Sequence, residues 1–113
     1  MTGRMPAGTV TDAAFLPVAH EPVDPAKIVA GTPTTGTVEF DDATGVWEMT
    51  PGTMRDVEID ELFVVVAGDA TVDFVHSELP SIRLGPGAVV RLEAGMNTVW
   101  TVRQTLRKVY LVL

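Results

Sequence analysis

The chain has 113 residues, with eight Lys and Arg against fifteen Asp and Glu, a formal net charge of −7 and no cysteine. That length holds one domain, and an acidic chain without clustered cations argues against nucleic acid or an anionic membrane surface as partner. The missing thiols remove disulfides, thiolate metal sites and cysteine nucleophiles together.

Hydrophobic residues make up 46% and charged ones 20%, so composition supports an ordinary globular domain over disorder or a coiled coil. The opening residues Met1-Thr2-Gly3-Arg4 carry no apolar signal core, and no apolar run approaches the ~18 residues of a membrane span. The expected location is cytoplasmic.

The first 36 residues are rich in Pro, Gly, Thr and Ala. The first ten read as frayed and the rest as an extended arm with one or two short strands. Pro17, Pro22, Pro25 and Pro33 each lack a backbone donor, which confines strands here to sheet edges. Residues 1–26 are assigned to this arm and 27–113 to the folded domain.

From Thr37 onward, β-branched and aromatic residues come in short runs bounded by turn residues. Expected strands are Thr37–Phe40, Gly45–Met49, Met54–Ile59, Leu62–Ala67, Ala70–Val75, Ser81–Leu84, Ala88–Leu92, Thr98–Val102 and Arg107–Leu113. Gly68-Asp69 reads as the two-residue loop of a type II′ hairpin. No segment sustains a period of 3.6, so the fold class is all-β: a sandwich, jelly roll or barrel.

The run Leu62–Ala67 has no polar side, and neither does Val109–Leu113. Both faces of such strands need covering, by the arm or by a second subunit. A homodimer built by sheet contact or arm exchange is therefore expected.

Several ordered motifs then stand out. They are Gly45-Val46-Trp47-Glu48-x-Thr50-Pro51-Gly52, Glu61 with Gly68 seven positions on, and Leu84-Gly85-Pro86-Gly87. Ala94-Gly95 with Trp100 following and Arg107-Lys108-Val109-Tyr110 complete the set. Over about residues 27–113 the chain resembles the cupin superfamily (RmlC-like), in its small single-domain branch of ureidoglycine aminohydrolase and ethanolamine-utilisation type cupins. The resemblance implies a double-stranded β-helix, a jelly-roll barrel with a pocket inside.

It also implies a metal site of two histidines and a glutamate in the first motif and a third histidine in the second. Only Glu61 matches. The paired histidines fall at Met54 and Asp56, or at Arg55 and Val57, and the third at Thr98. A transition metal needs three or four converging imidazole or carboxylate ligands, so no metal ligand and no cofactor is assigned. His20 and His76 lie away from the motif positions and read as surface histidines.

Strand alternation sends Glu61, Phe63 and Val65 to one side, which the resemblance makes the barrel interior. A carboxylate there needs a compensating cation, and Arg55 is the expected one. Two readings stand. In one, Glu61 is a general acid or base and Arg55 anchors a substrate carboxylate; in the other the two form a salt bridge at the barrel mouth.

Trp47, Trp100 and Phe63 are candidate apolar walls of a binding pocket, with core packing as the alternative for the tryptophans. Asp56, Glu58 and Asp60 alternate on one side and read as a solvated face or, alternatively, a hard-cation site. The function expected is binding, with or without transformation, of a small polar metabolite without a tightly bound transition metal. A non-catalytic ligand-sensing or dimerisation module and a metal-dependent enzyme with atypical ligands are the alternatives.

Overall fold

Runs of β-branched and aromatic side chains, punctuated by turn residues, build nine strands and no helix among the residues that the computed structural model describes, 3–113. Residues 1 and 2 of the expected frayed segment lie outside them. In chain order the strands are β1 (Glu21–Pro22), β2 (Ile28–Ala30), β3 (Thr34–Glu39), β4 (Thr44–Met49), β5 (Gly52–Val57), β6 (Glu61–Val75), β7 (Ile82–Leu84), β8 (Val89–Leu92) and β9 (Asn97–Val112). Among the described residues no helix is long and apolar enough to cross a membrane.

Two long strands carry the architecture. β6 runs antiparallel to β9 from Glu61↔Val112 to Val75↔Asn97. The free edge of β9 takes β4 at Leu106–Leu111 and β5 at Asn97–Val102. That of β6 takes β8 near its start and β7 further on. β3 and β1 extend the sheet beyond β4, and β2 extends it beyond β5. The right-handed twist of strands this long curls the sheet into a half-barrel.

The curl has a local cause that corrects the expected hairpin at Gly68-Asp69. The chain does not reverse there; β6 passes straight through, with its register against β9 shifting between Val65 and Ala70. Gly68 adopts φ +104°, and a Cβ at that position would run into the carbonyl of Thr105. Glycine therefore bends the strand and lets β9 approach closely. The two C-terminal strands expected from sequence are likewise one, because β9 keeps partners along its whole length.

The inner face alternates as a half-buried strand should. In β6 Glu61, Phe63 and Val65 are buried while Val64 faces out. Trp100, Val102 and Leu106 of β9 join Met49, Met54, Val72, Leu84 and Leu92 in one core. Each such side chain taken fully out of water contributes about 1.5–3 kcal/mol.

The arm packs against the outside of the sheet. Glu48 and Arg107, opposite each other on β4 and β9, form an ion pair at 2.7 Å. Arg107 also donates to the Ala13 carbonyl (3.0 Å), while His20 contacts Glu48 (2.6 Å) and the Thr34 hydroxyl (2.9 Å). His20, read from sequence as a surface histidine, is thus half-buried in a clip that fastens residues 13–20.

Candidate functional site

The pocket opens where β4, β5, β6 and β9 meet at one end of the curled sheet. Register determines what enters it. Trp47 pairs with Lys108, Met54 with Trp100, Asp56 with Thr98 and Phe63 with Tyr110. Directly opposed residues share a face, so all of these point inward. The cavity measures about 340 Å³ and is lined by Trp47, Trp100, Tyr110, Val57, Ile59 and Val112, with Asp56, Glu58, Glu61 and Lys108 as its charged groups.

Lys108 is the centre of the site. Its side chain is only 7% exposed, and its ammonium lies 2.9 Å from Glu61 Oε1, itself 8% exposed. The same nitrogen sits 4.4 Å from the ring centre of Phe63, 4.9 Å from Trp47 and 5.0 Å from Trp100. The rings are mutually packed, Trp47 to Trp100 at 5.5 Å and Phe63 to Trp100 at 5.9 Å. Three π-faces and one carboxylate thus replace the water that a buried ammonium gives up.

A second carboxyl lies beside this pair. Glu58 is 7% exposed. Its Oε2 accepts from the Thr98 hydroxyl (2.5 Å) and from the Trp100 indole N–H (3.0 Å). Its backbone is tied to the turn before β9 by Glu58 N–H to Met96 O and Gly95 N–H to Glu58 O. Burial pushes the Glu58 carboxyl above its ordinary pKa, and Asp56 adds to that, against the opposing influence of Thr98, Trp100 and Lys108. Burial also raises the Tyr110 phenol, helped by Glu39, Glu61 and Asp41.

The sequence-derived residues are distributed unevenly around this centre. Glu61 points inward and meets a cation, but that cation is Lys108 and not Arg55. Arg55 is exposed on the outer side of β5, donating to the Ala26 carbonyl at 3.2 Å. Alternation explains this, because Met54 and Asp56 take the inner positions. Trp47 and Trp100 line the cavity, and Trp100 is core as well, at 1% exposure. Phe63 lies behind the ammonium as its floor.

The reading of Asp56, Glu58 and Asp60 as one solvated face fails at Glu58, which the turn at Gly95–Met96 pins inside. Lys108 is the residue that sequence reasoning misses, and Glu58 enters it only as one of three alternating acids. Counting by two from Trp100 reaches Leu106, Lys108 and Tyr110 on the inner face, and that signal was available.

The positions that the family resemblance reserves for a metal can be compared directly. Met54, Asp56, Glu61 and Thr98 do face one interior, yet they offer a thioether, two carboxylates and a hydroxyl, and Lys108 engages Glu61. Among the described residues no three His, Cys, Asp or Glu side chains converge as a ligand set. This donor set does not fit the family's metal.

Comparison with known proteins agrees with the architecture. The chain is similar in fold to the crystal structure of a DUF861-family protein of unknown function from Pseudomonas syringae pv. tomato (TM-score 0.71, 20% identity, covering 88% of this chain and 46% of that one). It thus spans under half the length of that protein. It is similar also to a putative ethanolamine utilization protein Q from Salmonella typhimurium (TM-score 0.57, 12% identity, 87% and 96% covered). The EutQ protein of Clostridium difficile gives TM-score 0.52 at 15% identity, with 82% and 59% covered. No curated protein sequence matches the chain. The model of the EutQ-like cupin domain matches residues 36–110, and with the all-β curled sheet this places the chain in the EutQ-like branch of the cupin superfamily; the ureidoglycine aminohydrolase likeness has no specific support. The chain belongs to the family of EutQ-like cupin domains.

Proposed function

We propose that this cupin binds a small polar metabolite in the barrel pocket without a tightly bound transition metal. The observation that carries this reading is the Lys108 ammonium, fixed by Glu61 and three aromatic rings at the wall of an open cavity of about 340 Å³. Binding sites for small molecules are mostly apolar with a few placed polar groups, and this wall has that composition. Glu61 is the proposed acid–base group, Trp47 and Trp100 the proposed ligand-facing walls, and Phe63 the support of the cation. Arg55 has no place in the site because it faces away.

The chain's two tryptophans both line the pocket, so ligand entry is measurable as a change in their fluorescence. Titration with small carboxylates and carbonyl compounds should give saturable quenching that is lost in Lys108→Met. No saturable signal from such a panel would refute the binding reading. Stoichiometric Zn, Mn, Fe or Ni in protein purified without a histidine tag would refute the metal-free part.

A second reading, a dimerisation module, draws on the outer face of the β6–β9–β8 region. Val64, Leu111 and Val89 stand 37%, 38% and 64% exposed there, with Val64 directly opposite Val89. A second copy of the chain is the proposed cover. Light scattering should give a dimer for the native chain and a monomer for Val64→Asp.

A further inference from the structure

We propose that Lys108 forms an imine with a small aldehyde or ketone carried in the pocket, Glu61 and Glu58 moving the protons. The inference rests on the binding reading above and names the chemical class of the ligand. Lys108 is one of only two lysines in the chain. Unlike Lys27, whose side chain is 53% exposed, its side chain is 7% exposed and packed among three aromatic rings at the cavity wall. That setting favours loss of water from a carbinolamine.

The groups present balance the reaction. Glu61, 2.9 Å from the ammonium, accepts its proton and frees the amine. The amine nitrogen attacks the carbonyl carbon. As the C–N bond forms, the carbonyl π pair moves to oxygen, which takes the proton of Glu58. Burial keeps a proton on Glu58 to higher pH than an ordinary glutamate, so the role suits it. The nitrogen returns a proton to Glu58. Glu61 then gives its own proton to the hydroxyl, which leaves as water while the nitrogen lone pair closes the C=N bond. The protonated imine ends opposite the Glu61 carboxylate, where the ammonium began. No oxidant or metal is consumed.

The geometry distinguishes this role from a purely structural ion pair. A structural pair needs neither an opening beside the ammonium nor a second buried carboxyl at the same cavity, and both are present. Lys108 would be the catalytic nucleophile.

The test uses the full chain with glyoxylate, pyruvate or propionaldehyde and sodium cyanoborohydride, read by intact mass and peptide mapping. The expected result is a reduced adduct on Lys108 forming at least about ten-fold faster than on Lys27, with Glu61→Gln slowing it by about ten-fold or more. Lys108→Arg should keep the charge and the fold while losing the adduct. Adducts confined to Lys27 and the amino terminus, or no adduct on Lys108 with any of the three probes, would overturn the proposal. Quenching of tryptophan fluorescence by these probes without an adduct would overturn the imine and leave the binding reading intact. Absence of both would overturn both.

Discussion

Arg107 and Lys108 are neighbours on one strand, each paired with a glutamate, and they lie in two different environments. Arg107 faces outward, where Glu48 is shared with His20 and the arm's carbonyl at Ala13 supplies a second acceptor. Lys108 faces inward, where its ion-pair partner is Glu61 and three aromatic rings pack around the ammonium. The outer cluster has several partners, and losing any one leaves others. The inner cation has a single ion-pair partner among the described residues. A network of hydrogen-bonding partners makes a fastening, whereas an isolated cation under three rings beside a cavity makes a reactive or recognising centre.

The largest effect that would test this contrast comes from Lys108→Met. The change keeps the aromatic contacts but strands Glu61 in a buried site, at about 3–5 kcal/mol by urea unfolding. Glu61→Gln with Lys108→Met should recover a large part of that loss, since replacing both partners removes the uncompensated charge. Equal losses in the single and double variants would mean the pair is not the source. On the outside, Arg107→Met should cost about 1–2 kcal/mol, because Glu48 retains His20, and proteolysis should then release the arm more readily. A cost matching that of Lys108→Met would erase the distinction between the two faces.

Glu58 gives the pocket a pH signature. Its folded pKa lies above the unfolded value because burial disfavours the charge. Its contribution is therefore fully present below the unfolded pKa and is lost as pH rises through the folded one. Native protein should lose stability over that rise, and Glu58→Gln should flatten it. Asp41 behaves oppositely. The backbone N–H of Met5, that of Ala43 and the Thr44 hydroxyl hold it down at about 2, so its contribution is present above the unfolded pKa and lost as pH falls toward 2. The smallest expected effect is of salt: raising ionic strength to about 1 M should weaken the outer clip by a few tenths of a kcal/mol and leave the buried pair nearly unchanged.

Much of this fold can be read from the residues themselves. Short β-branched runs and turn residues announce an all-β sheet, and the period of two puts Glu61, Phe63 and Val65 on one face. The errors come from interactions distant in sequence. A glycine that ends a strand and a glycine that bends one look alike locally, and only a continuous partner such as β9 selects the bend at Gly68. Arg55 was chosen for Glu61 by nearness along the chain, while its parity sends it outward. The period of two along β9 puts Lys108 on the inner face, but its meeting with Glu61 follows from the long β6–β9 pairing, in which Lys108 lies opposite Val65 on the same face as Glu61.

The long pairing of β6 with β9 also bears on how the molecule is made. Strands β4, β5 and β6 all take their partner from residues 97–112, a stretch distant from them along the chain. Until that strand docks, three strands lack a partner along one edge, and loop closure must be met before any of these ladders contributes stability. Folding should therefore fall in the slower, millisecond-to-second range of small β proteins and depend on an intact C-terminal strand. A chain ending before Val102 would expose unpaired edges and aggregate instead of forming a smaller sheet.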